Sequence, residues 1–107
     1  MEFLAREALT GLMVGSTHYV DIGQPKEAAI YYADAERAYM TLPDGRALAG
    51  DWHFTADGYH VAWTGGPRAD WRIAFAPGRL AYVDAEGAER GTVVRIVPGD
   101  PEGFSRR

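Results

Sequence analysis

The stretch Gly50-Asp51-Trp52-His53-Phe54-Thr55-Ala56-Asp57-Gly58-Tyr59-His60-Val61-Ala62-Trp63 alternates large apolar residues with polar ones on both sides of an Asp-Gly pair. A period of two is the pattern of a half-buried strand, and Asp-Gly between two such runs is a strong hairpin signal. Read as a two-residue turn pairing Ala56 with Tyr59, Asp57-Gly58 sets Phe54 against Val61 and Trp52 against Trp63. Large apolar residues then share one face of both strands.

The same reading extends outward in both directions. Turn dipeptides recur at Asp44-Gly45, Gly65-Gly66-Pro67, Pro77-Gly78 and Glu86-Gly87, the spacing of short strands in an all-β barrel or sandwich. Such short loops join antiparallel neighbours, because parallel crossovers need roughly a dozen residues or more. The expected architecture is an all-β, up-and-down antiparallel meander of about seven or eight strands, closed or partly open as a small barrel. Strands are expected near 15–21, 26–33, 36–42, 46–55, 59–64, 69–76, 79–84 and 89–97. Before them, residues 2–10 have helical spacing, with Phe3 or Leu4, Ala8 and Leu12 on one stripe and Gly11 as a stop. Residues 98–107 read as an irregular tail.

The other turns fix further registers. Pro77-Gly78 sets Phe75 against Leu80 and Ile73 against Tyr82. Asp44-Gly45 sets Thr41 against Leu48 and Tyr39 against Gly50, an aromatic covering a glycine. Asp34-Ala35 sets Ile30 against Tyr39 and Tyr32 against Arg37. If the Gly65–Ala69 loop lets Trp63 oppose Trp71, the inner layer becomes Tyr32, Arg37, Trp52, Trp63, Trp71 and Asp84, with Tyr39 beside it. Two readings of that layer stay open. It is either a filled core, since each aromatic buries about 150–250 Å², or a ligand cup whose apolar walls carry a few polar groups. In the second case Arg37 is available for an anionic group. The outer face would then present Ala29, Tyr31, Ala38, Met40, Leu42, Ala47 and Ala49, apolar enough to be covered by the N-terminal helix or a second subunit, unless it is simply an alanine-rich surface.

Composition limits the function classes. The 107 residues suit one domain spanning 1–107, and 47% hydrophobic content is enough to build a core. A net charge of -4 speaks against a nucleic-acid partner held by phosphate neutralisation. The absence of cysteine removes disulfides, thiolate metal sites and a cysteine nucleophile. No run approaches the roughly 20 apolar residues of a membrane span. Were Met1 the native start, the protein would be cytoplasmic; had a signal peptide been removed, it would be exported.

Catalytic and metal patterns are thin. His53 and His60 are expected as diagonal neighbours near Asp51 and Asp57, and His18 lies close in sequence to Asp21, but no HxH or HExxH spacing occurs. Ser16 and Ser105 lack the context of a nucleophile elbow. The acidic residues fall in turns or at strand ends, where solvated carboxylates normally sit. No catalytic residue, metal or cofactor is assigned, and the reading is non-enzymatic.

A meander carrying Gly50-Asp51-Trp52, with a helix before it and arginines such as Arg37 or Arg95 to stack on the indole, resembles the calycin-like barrels over about residues 11–97. These are the lipocalin, fatty-acid-binding and streptavidin-like proteins, together with small bacterial proteins on the same plan. Lipocalins carry that triplet at the first strand and this chain near the fourth, so the shared architecture is the main inheritance. The resemblance implies binding of a small, partly apolar ligand, and the registers place it against Trp52, Trp63, Trp71, Arg37, Tyr32, Tyr39 and Asp84. The alternative is a protein-interaction or structural module that uses the apolar outer face around a filled barrel.

Overall fold

Eight strands follow one another around a closed antiparallel barrel in a computed structural model that describes residues 2–104. After a two-residue strand β1 (Glu2–Phe3) and a helix α1 (Arg6–Met13) come β2 (Ser16–Asp21), β3 (Ala28–Tyr32), β4 (Arg37–Thr41), β5 (Ala47–Phe54), β6 (Tyr59–Trp63), β7 (Arg68–Ala76), β8 (Arg79–Val83) and β9 (Glu89–Pro98). Each of β2 to β9 pairs with its sequence neighbours, and β9 closes the barrel by pairing with β2. Ser105 and the rest of the expected tail beyond residue 104 lie outside the described residues.

The hairpins show what each turn requires. Pro77-Gly78 is a two-residue loop with Gly78 at φ 73°, and it sets Ile73 opposite Tyr82 and Phe75 opposite Leu80, as the turn chemistry implies. The hairpin around Asp57-Gly58 is displaced by two residues. Thr55 donates its N–H to the Gly58 carbonyl, so the loop is Ala56-Asp57, and Trp52 faces Val61 while Trp63 faces Gly50. Gly58 is needed for space rather than for its φ, since a β-carbon there would overlap the Trp71 carbonyl of the next strand. A shift of two preserves the faces. Trp52, Val61 and Trp63 all belong to the same interior cluster.

Strand β4 departs further, by turning over. Asp34 accepts hydrogen bonds on Oδ1 from the N–H groups of both Glu36 and Arg37 at 2.8 Å, which makes Asp34-Ala35-Glu36 a three-residue loop. At its other end the loop is Pro43-Asp44-Gly45, with Gly45 at φ 92° donating to the Leu42 carbonyl, the three-residue form in which the glycine follows the turn. Each extra residue slips the register by one, and the two slips reverse β4 alone. Tyr32 therefore faces Ala38, and Gly50 also faces Ala38. Arg37 and Tyr39 point outward, while Ala38 and Met40 join the interior. The expected inward Arg37 and Tyr39, and the expected outward Ala38, Met40 and Leu42, are corrected accordingly.

The N-terminal segment also differs from its periodicity. Phe3 pairs with Ala74 as a strand, and the helix spans Arg6–Met13 with Gly11 inside it. Leu9 and Met13, one helical turn apart, are buried in the barrel interior. The helix thus plugs the end bounded by the Asp34–Glu36, Ala56-Asp57 and Pro77-Gly78 loops, and does not lie on the outer face. Part of that face is covered instead by the chain after β9. Phe104 is buried and stacks on Tyr31 and Tyr39 at ring separations of 6.5 and 6.2 Å, while Tyr19 donates to Glu102 at 2.7 Å. Through residue 104 the expected irregular tail is docked.

Candidate functional site

Opposite the helix plug, the interior is not filled. A cavity of about 190 Å³ opens among Val20, Ile30, Met40, Val61, Trp63 and Trp71, with Ile22, Leu42, Pro67 and Arg90 toward the end of the barrel. Tyr32, Tyr59 and Tyr82 also line it. Its walls come from alternate residues of β2, β3, β4, β6 and β7, so the period-two pattern of the sequence supplies them directly. β4 contributes Met40 only because it is turned over. A pocket for a drug-sized molecule occupies roughly 300–1,000 Å³, and a 150 Å³ apolar cavity holds benzene. By that scale the space suits a molecule of one ring.

Between the cavity and the plug lies a buried polar chain. Burial lowers the pKa of His18, which favours the neutral imidazole, and the ring is 1% exposed. Its Nε2 lies 2.9 Å from the Leu12 carbonyl, which can only accept, so Nε2 carries the proton. Nδ1 is then an acceptor and takes the Tyr82 O–H at 2.8 Å. Tyr82 has no second hydrogen, so Tyr32 donates to it at 2.7 Å, and Tyr59 donates to Tyr32 at 3.0 Å. One direction runs through the whole chain. Burial also raises the pKa values of all three tyrosines, which keeps the phenols protonated.

The seven residues singled out from sequence separate into four places. Trp63, Trp71 and Tyr32 line the cavity. Trp52 lies deeper, buried edge-on against Tyr32 and Tyr59, with its indole N–H on the Asp34 carbonyl at 2.9 Å. Arg37, Tyr39 and Asp84 are elsewhere. Arg37 pairs with Asp51 on the outer face at 3.2 Å and lies over the Tyr39 ring. Asp84 accepts from the N–H groups of Glu86 and Ala88 and from Arg90, closing the β8–β9 turn; these bonds, Arg90 first, hold its pKa below the ordinary carboxylate value. The three tryptophans share the interior but do not lie side by side: Trp71 faces Tyr59 across the ladder, not Trp63.

Sequence reasoning passed over Tyr59, Tyr82, His18 and Arg90. Two signals were present. The Pro77-Gly78 register already placed Tyr82 inward beside Ile73, and His18 precedes Val20 by the strand period of two. Among the described residues Arg90 is the only charged one that lines the cavity, and its Nε donates to Asp84 at 2.7 Å. On the outer face His53 and His60 are directly opposite and not diagonal, and His60 pairs with Asp70 at 2.8 Å. Among the described residues no three His, Asp or Glu side chains gather as metal ligands, and no helix is long and apolar enough to cross a membrane.

Fold and site together define a closed eight-stranded antiparallel barrel with a helix at one end and a small apolar cup at the other. No protein-family profile matches the chain, and comparisons with curated proteins and with solved structures find no significant match.

Proposed function

We propose that the barrel is a non-enzymatic, calycin-like binder that holds one small, partly apolar molecule in its open-end cup. The observation that carries this reading is the cavity of about 190 Å³ walled by Trp63, Trp71, Met40, Ile30 and Val61. Apolar walls with a few polar groups at the margins are the usual character of a small-molecule site. A charged head group, where the ligand has one, meets Arg90 at the rim and not Arg37, which is outside the barrel. The alternative, docking through the apolar outer face, has less surface to work with. Ala38 is fully buried inside, Met40 lines the cup, and Phe104 lies on Tyr31 and Tyr39.

Thermal unfolding with one-ring probes such as toluene and indole tests the proposal. Binding at a hundred times the dissociation constant adds about 2.7 kcal/mol of stability. Ala69 also lines the cavity, opposite Val61, and the Ala69→Phe variant, which fills the cup from that wall, should abolish the gain. Tryptophan emission should shift with the same probes, because Trp63 and Trp71 line the space. Absence of both a thermal and a spectral response to every probe would overturn the reading.

A further inference from the structure

Resting on the cup reading, we infer that the inner end of the cavity selects a neutral molecule that donates a hydrogen bond, an alcohol or phenol, over an equally shaped carbonyl compound. The directed chain carries this. Leu12 fixes the proton on Nε2 of His18, Tyr82 spends its hydrogen on Nδ1, Tyr32 spends its hydrogen on Tyr82, and Tyr59 spends its hydrogen on Tyr32. All three hydroxyl hydrogens are consumed inside the protein. Each oxygen keeps acceptor capacity, since a hydroxyl carries two lone pairs. Tyr59 ends the chain, donating to Tyr32, and its oxygen keeps a lone pair for a ligand. A ligand hydroxyl beside it gains a partner. A ligand carbonyl there faces an oxygen with no hydrogen to offer, and leaves its own acceptor unsatisfied in an apolar enclosure.

Donors among the described lining residues are nitrogen groups and not hydroxyls. At the rim the donor is Arg90, whose Nε is taken by Asp84, while Trp63 and Trp71 bring indole N–H groups to the walls. The hydroxyls at the inner end thus offer acceptor oxygens and no hydrogen of their own. An alcohol is favoured at the inner end whatever group it carries at the other.

Cyclohexanol, cyclohexanone and toluene, titrated by calorimetry against the wild type and Tyr59→Phe, test this. All are close in size to benzene, which a 150 Å³ cavity accommodates. In the wild type cyclohexanol should bind about tenfold more tightly than cyclohexanone, the worth of one hydrogen bond. In Tyr59→Phe that ratio should fall to about one while toluene binds as before, because the substitution removes the terminal oxygen and leaves the Tyr32–Tyr82–His18 bonds in place. Equal wild-type affinity for alcohol and ketone would overturn the inference while leaving the cup reading intact. So would an undiminished ratio in Tyr59→Phe. Failure of all three probes, toluene included, would instead count against the cup itself.

Discussion

Gly50 faces Trp63 across the ladder between β5 and β6, and a β-carbon at position 50 would come within 2.9 Å of the indole and 2.5 Å of the Ala62 carbonyl oxygen. The bare backbone of β5 gives the Trp63 wall of the cup the room to lie where it does. Gly50→Ala should therefore cost about 1–3 kcal/mol, toward the upper end because a carbonyl cannot move aside as a side chain can. Urea unfolding measures the loss. A variant as stable as the wild type would mean that the indole has another resting place.

His18 should make stability depend on acid. Its folded-state pKa is held below the ordinary 6.5 by burial. Below that value the unfolded chain takes up a proton that the folded chain does not. Its contribution is thus complete above pH 6.5 and declines on acidification, by up to about 1.4 kcal/mol per pH unit, until the folded-state value is reached. Denaturation midpoints from neutral pH downward should show that decline, and His18→Gln, which can donate to Leu12 and accept from Tyr82 without titrating, should flatten it. Parallel slopes in the two proteins would exclude His18 as the source.

Thr41 offers a gain. Its hydroxyl oxygen is buried with no hydrogen-bond partner among the described residues. Thr41→Val replaces the hydroxyl by a methyl of similar size and relieves that desolvation, raising stability by about 1 kcal/mol. A melting temperature that falls would show that the oxygen is paired in solution.

Arg37 distinguishes the two registers of β4. Inside the barrel, its removal would leave a hole and unpaired polar groups. On the outer face, paired with a largely solvated Asp51 and itself partly exposed, it contributes no more than about 1 kcal/mol. Arg37→Ala should accordingly remain close to wild-type stability and keep its affinity for one-ring probes. A large loss on either count would return Arg37 to the interior.

Strand positions were legible in the sequence because alternation and turn residues are local. β3, β5, β6, β7 and β8 also present the faces that the turn registers imply. β4 does not, and the cause is specific: Asp34 and Gly45 each belong to a three-residue loop, while the dipeptides around them look like two-residue turns. Neither face of Arg37-Ala38-Tyr39-Met40 is purely polar, so alternation alone could not arbitrate. The cup walls Trp63, Trp71 and Tyr32 were readable from register. The hydroxyl chain was not, because His18, Tyr32, Tyr59 and Tyr82 meet through side-chain lengths across the lumen, a relation that ladder arithmetic does not contain.

The seam between β2 and β9 joins residues some eighty positions apart, with Thr17 opposite Val97. Arg90 and Gly91, which complete the cup, arrive on that final strand. A nascent or truncated chain ending before Glu89 would hold the other walls in sequence yet enclose nothing. Closing so wide a loop is costly in chain entropy and slow. Ligand capture should accordingly appear abruptly at the last stage of refolding, all at once, instead of growing hairpin by hairpin.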